Sequence, residues 1–125
     1  MVKGVHALFP NLAERRRGMG DALPGGEQQM LAIGRALMSN PSLLLLDEPL
    51  ESLAPVIVER VLEALLQLRS TSGLTMILTV PHARLALANS DRAIVLDRGQ
   101  IVQTDRSSVL LAETERLSSL IGVAR

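Results

Sequence analysis

Two adjacent carboxylates, Asp47 and Glu48, close the unbroken apolar run Leu43-Leu44-Leu45-Leu46 and are followed at once by Pro49. At the end of a buried strand, such a pair offers hard oxygen ligands suited to Mg²⁺, which takes only one or two carboxylates and fills its remaining positions with water and phosphate oxygens. The second carboxylate, one residue on, is placed to orient or deprotonate an attacking water. The same three residues also make an ordinary Asp-Glu-Pro helix start. A second feature, Gly25-Gly26-Glu27-Gln28-Gln29, opens a helical stretch. A glycine pair at a helix N-terminus exposes backbone N–H groups and the positive end of the helix dipole to an anion, although a flexible turn before a helix reads the same way. His82, directly after Pro81, sits where a strand should give way to a loop, and His6 is incidental. Arg15-Arg16-Arg17 reads as a solvated helix end in preference to a phosphate patch.

These side chains need elements to hold them. Residues 1–24 are the least regular part, with Leu8, Phe9 and Leu12 as apolar anchors before the break at Leu23-Pro24-Gly25-Gly26. From Glu27 to Ser39, Met30, Ile33 and Leu37 recur at helical spacing, and Asn40-Pro41 ends the segment because the residue before proline disfavours the α region. Leu43–Leu46 has no alternation and predicts a parallel strand buried on both faces. Pro55 can open a second helix, with Ile57, Val61, Leu65 and Leu68 as its stripe to about Arg69 and a loop at 70–73. Thr75–Val80 predicts another buried strand, and Arg84–Asn89 a short helix. Ala93–Leu96 and Ile101–Gln103 flank a tight turn at Asp97–Gln100. A last helix is predicted over 108–120. Strands alternating with helices argue for an α/β fold with a mostly parallel sheet, flanking helices and a C-terminal β-hairpin.

Composition bounds the rest. The 125 residues suffice for one domain or a piece of one, and 47% of them are apolar, too many for a disordered chain. Phe9 is the sole aromatic ring, so the core must be aliphatic. Thirteen basic against thirteen acidic residues leave no electrostatic case for nucleic acid or an anionic membrane. With no cysteine, disulfides, thiolate catalysis and cysteine metal sites are excluded. No apolar run approaches the about 18 residues of a membrane span, and the N-terminus has no secretory core. The expectation is a cytoplasmic protein with no direct membrane insertion.

Taken together, Leu23-Pro24-Gly25-Gly26-Glu27-Gln28-Gln29 with its following helix resembles the signature of the ABC ATPases, and Pro41–Pro49 resembles their Walker B strand. Leu53-Ala54-Pro55 looks like the end of the D-loop, and Asp97–Val102 like the family's later hairpin. The resemblance runs in one register from about Phe9 to Leu111. The helix residues 27–37, Leu53-Ala54-Pro55 and the lead-in Leu8–Arg16 look most like the branched-chain amino acid importers. It implies a partial P-loop NTPase-like domain, with 1–40 as the signature-helix region and 41–125 running from Walker B to the C-terminal helix. It also implies ATP and Mg²⁺ as ligands, with Asp47 holding the metal through water and Glu48 acting as general base. Pro24, Gly25, Gly26 and Glu27 would line the nucleotide of an opposite ABC ATPase subunit, in a homo- or heterodimer seated on membrane permease subunits at the inner face of the cell membrane.

Several positions depart from the pattern. The phosphate-binding loop G-x-x-x-x-G-K-[ST] occurs nowhere in these residues. Pro24 stands at the signature serine, Leu50-Glu51-Ser52 departs from the D-loop, and Pro81 stands at the switch position, with His82 one residue later as the alternative γ-phosphate sensor. Three functions follow: an ATP-hydrolysing transporter subunit here incomplete, and inactive without a phosphate loop; a truncated, inactive paralogue serving as an interaction module; and, last, an ABC-type ATPase of DNA repair, disfavoured by the lack of heptad repeats. In the family a central strand separates the strands matching Thr75–Val80 and Ala93–Leu96. Its absence predicts exposed strand edges, a marginally stable chain and self-association.

Overall fold

The computed structural model describes residues 2–20 and 23–113. The order of elements is α1 (Val2–Leu8), α2 (Pro10–Glu14), α3 (Gly25–Leu37), β1 (Leu43–Asp47), α4 (Pro55–Ser72), β2 (Thr75–Thr79), α5 (Ala83–Ala88), β3 (Arg92–Asp97), β4 (Gln100–Arg106) and α6 (Ser107–Ala112). The architecture is α/β, and its strands form two two-stranded sheets, β1 beside β2 and β3 beside β4. The chain divides into two compact units, 1–78 and 79–125. No helix among the described residues is long and apolar enough to cross a membrane.

In residues 1–78 the core is aliphatic around one ring. Phe9, Leu12, Met30, Ile33, Leu37, Leu44, Leu46, Val61, Ala64 and Leu65 are buried. The expected stripe of α3 is thus the buried one. The N-terminal stretch expected to be irregular instead forms two helices, with Pro10 supplying the first turn of α2. Val5, Phe9 and Leu12 recur at helical spacing there. Val5 and Leu12 both reach α3 at Gly34, so tertiary packing stabilises turns too short to persist alone.

The expectation of a strand buried on both faces is corrected. β1 alternates, with Leu44 and Leu46 inside while Leu43 and Leu45 are exposed, and Ile77 on β2 is exposed as well. Each side chain of a strand takes the face opposite to its neighbour's, and among the described residues only one face of this sheet is covered. The loop expected at 70–73 also proves to be helix as far as Ser72. Its hydroxyls stay in register by donating back to the preceding turn, Ser70 and Thr71 to the Gln67 carbonyl at 2.9 and 2.8 Å and Ser72 to that of Leu68 at 2.6 Å. Gly73, at φ 65°, then closes α4 in the left-handed conformation.

In residues 79–125 the expected hairpin is present as the antiparallel pair β3–β4, with Asp97 opposite Gln100 and an irregularity at Val95/Leu96. Arg98 and Gly99 form its turn with φ of 48° and 79°, the doubly positive pattern whose twist suits a two-residue hairpin. Leu87 and Leu110 form its small core with Ala93 and Val95 against them. The Ser90 and Ser107 hydroxyls lie 2.6 Å apart, which satisfies the buried Ser107. The last helix, expected over 108–120, starts at Ser107 and is described to Ala112; the remainder lies outside the described residues.

Candidate functional site

The first candidate is the N-terminus of α3. Pro24 precedes it in an extended conformation, φ −57° and ψ 151°. Its carbonyl accepts the N–H groups of Glu27 at 2.9 Å and Gln28 at 3.0 Å, and the Gln28 side-chain amide donates to the Leu23 carbonyl at 2.8 Å. The N–H groups of Gly25 and Gly26 fall in the first turn, where helix geometry supplies no partner. Pro24 has no hydroxyl, and no side chain caps the helix. The backbone alone therefore presents donors to an anion.

The two glycines differ in surroundings. A Cβ on Gly25 would meet nothing within 4 Å, whereas one on Gly26 would lie 2.6 Å from Ile57 Cγ2, on the first turn of α4. Beside them the Glu27 carboxylate is largely buried. Its Oε2 lies 3.2 Å from Arg15 Nε, where α2 ends. That oxygen makes no hydrogen bond, so the approach is close enough for an ion pair without being aligned as a donor–acceptor contact. The ionic attraction compensates the buried charge, and Glu27 also gains from the dipole of its own helix.

The second candidate is the end of β1. Asp47 is the last strand residue, and Glu48 follows with φ 44°, a conformation that costs a side chain of its type. Both residues are exposed, while Pro49 and Leu50 after them are buried. The Glu51 N–H donates to the Glu48 carbonyl at 3.1 Å, and Ser52 is again left-handed at φ 59°. A buried anchor on each side, Leu46 and Pro49-Leu50, thus holds Glu48 in a conformation it would not choose. Leu50, a departure from the expected D-loop, is a core residue here. No cluster of three or more His, Cys, Asp or Glu side chains exists among the described residues. The donor set fits a hard cation that relies on one or two carboxylates and takes its other ligands from water and phosphate.

His82 belongs to the unit 79–125. It is exposed and extended at the N-terminus of α5, and its carbonyl accepts the Ala86 N–H at 3.1 Å. Two residues that bear on the glycine turn had no signal in the sequence. Arg15 stood within a basic triplet that looked solvated, and Ile57 stood within a core stripe that did not say what its first member touches.

The ABC transporter family matches residues 5–51, a span that takes in the glycine turn and the Asp47-Glu48 pair. The chain is 48% identical over 115 residues to the high-affinity branched-chain amino acid transport ATP-binding protein BraG of Pseudomonas aeruginosa, covering 92% of this chain and 49% of that relative. The chain holds ABC transporter ATP-binding domain sequence. A phosphonates import ATP-binding protein of Mesoplasma florum is 38% identical over 92 residues, covering 74% of this chain and 37% of the relative. The chain thus spans about half, or less, of the length of the curated relatives it matches. Among solved structures, an inward-facing metal-chelate type ABC transporter superposes with a TM-score of 0.85 at 25% identity, over 97% of this chain and 47% of that one. A dimeric ATP-binding cassette bound to ADP and phosphate gives 0.61 at 30% identity, over 70% and 37%. The ABC ATPase fold is therefore shared, with α3 and β1 carrying the signature-like and Walker B-like residues.

Proposed function

We propose that these residues serve in the ATP-binding subunit of an ABC importer and that the solute class is branched-chain amino acids. The observation that carries the ATPase reading is that one compact unit holds both a glycine turn with unclaimed N–H groups and a strand-end carboxylate pair whose second member is held left-handed. The 48% identity to a branched-chain amino acid relative supports the finer reading, against more distant phosphonate importers. Glu48 is the general base that takes a proton from the attacking water. Asp47 would hold Mg²⁺, which would supply neutralisation of phosphate charge when bound. Gly25 and Gly26, with Pro24 and Glu27 beside them, face the γ-phosphate held by a second ATPase subunit, so that two subunits complete each other's sites. His82 is the candidate γ-phosphate sensor of its own unit. The complex sits at the membrane through permease subunits.

A second reading, an interaction module without turnover, draws on Pro24, which removes a hydroxyl from the signature, and on the missing phosphate-loop motif. The two are separated by joining the chain to the amino-terminal half of the Pseudomonas relative and measuring ATP hydrolysis. Turnover that Glu48→Gln abolishes while ATP still binds supports the ATPase. A fusion that binds ATP yet never turns it over supports the module.

A further inference from the structure

Gly26 and Ile57 are 31 positions apart in sequence, yet the space that a side chain at 26 would need is already taken. An ideal Cβ there lies 2.6 Å from Ile57 Cγ2, 3.3 Å from Cγ1 and 3.4 Å from Cβ. All three atoms belong to the stiff, branched base of the side chain, where a helix leaves essentially one χ1 state. No rotation of Ile57 vacates the position. Its helix begins at Pro55, seven residues beyond Glu48, and the intervening segment is anchored by buried Pro49 and Leu50. Ile57 therefore joins the two stretches that carry the candidate chemistry, since the chain leaving the carboxylates runs into the turn of α4 that seats the glycines. Gly25, by contrast, has open space at its Cβ and a helical backbone that any residue could adopt. The fold gives no reason for glycine at 25 and a clear one at 26.

We propose that Ile57 is a positioning residue for the Gly25–Gly26 turn: its two γ carbons seat the turn against α4 and so aim the N–H groups, while Gly25 alone is kept side-chain-free for the approach of a phosphate. This rests on the ATPase reading above.

The test uses the fused subunit described there, with urea melts on each variant to establish folding. Ile57→Val keeps both γ carbons and should preserve turnover at saturating ATP. Ile57→Leu keeps the carbon number but moves the branch outward and should lower turnover about tenfold or more, as small misplacements do, with KM for ATP changed less than twofold. Gly26→Ala should show the same loss, substantially recovered in the Gly26→Ala/Ile57→Ala double variant. Gly25→Ala should lose turnover without recovery by Ile57→Ala. Equal turnover in Ile57→Val and Ile57→Leu, or no recovery in the double variant, overturns the proposal. If Gly26→Ala does not fold, the Val and Leu pair decides alone. Glu48→Gln is the control for the underlying reading. Should it remain active, the ATPase assignment fails; should it be inactive while Ile57→Leu is normal, only the role of Ile57 fails.

Discussion

Arg15 Nε lies 3.2 Å from Glu27 Oε2, tying the residue that ends α2 to the first turn of α3. The pair is asymmetric: the Arg15 side chain is 52% exposed and that of Glu27 14%. Water can solvate the guanidinium if the partner is lost, but it cannot reach the carboxylate oxygen as readily. Arg15→Ala should therefore destabilise the 125-residue chain by about 1–2 kcal/mol, more than an exposed pair is worth and less than a fully buried one. Glu27→Gln should cost less, because it leaves no unpaired charge inside. In the double variant the two losses should fall short of adding. Urea unfolding measures all three, and strict additivity would show that the pair contributes nothing.

Val5 meets α3 where Gly34 leaves room, and a Cβ on Gly34 would lie 2.7 Å from Val5 Cγ1. Two effects compete in Gly34→Ala. Removing glycine from a helix interior gains about 1 kcal/mol of helix propensity, while overpacking costs about 1–3 kcal/mol. The clash should win, with a net loss near 1 kcal/mol. Truncating its partner in Gly34→Ala/Val5→Ala should bring stability back toward the parent. Gly34→Ala alone proving more stable than the parent in urea would mean that α1 yields at no cost.

How far the sequence spoke depends on what kind of contact set each feature. The stripes of α3 and α4 were legible because Met30, Ile33, Leu37, Val61 and Leu65 obey a period that one helix imposes on itself. The β3–β4 hairpin was legible from Arg98-Gly99 between apolar runs. Glu48 could be named from its place after Leu46, but its left-handed backbone could not, since burial of Pro49 and Leu50 on either side of a turn imposes it. The helices before residue 15 were missed because Val5, Phe9 and Leu12 are informative only once α3 is there to receive them. Both faces of β1 looked buried because a run of leucines is the same whether one face or two are covered.

The outward faces of the sheets carry a consequence for handling. Leu45 and Ile77 on one sheet, and Ile94, Leu96 and Ile101 on the other, are each more than half exposed. Apolar groups in adjacent strands left exposed among the described residues favour association. The 125-residue chain should sediment as a concentration-dependent oligomer and bind a hydrophobic dye. Leu45→Lys and Ile94→Lys together should shift it toward monomer without loss of helical signal. A parent chain that stays monomeric at about 100 μM would place these faces within the range single exposed residues tolerate.

Stability and chemistry should separate at Glu48. Its φ of 44° lies in the left-handed region, which costs a residue with a Cβ about 1–2 kcal/mol. Glycine removes that cost but loses about 0.5–1 kcal/mol of conformational entropy on folding. The difference favours Glu48→Gly by about 0.5–1 kcal/mol in a urea melt. Glutamine has the same shape as glutamate and keeps the strained backbone, so Glu48→Gln should melt within about 0.5 kcal/mol of the parent, as surface substitutions do. In the fused subunit both lose the carboxylate proposed to accept the proton, and both should lose turnover. The prediction is thus one variant that is more stable and inactive beside one that is equally stable and inactive. Such a pattern marks a residue held in place against its own preference for the sake of its carboxylate. Loss of stability in Glu48→Gly would instead mean that the side chain contributes contacts outweighing the backbone strain, and the link between the left-handed turn and the chemistry would have to be abandoned.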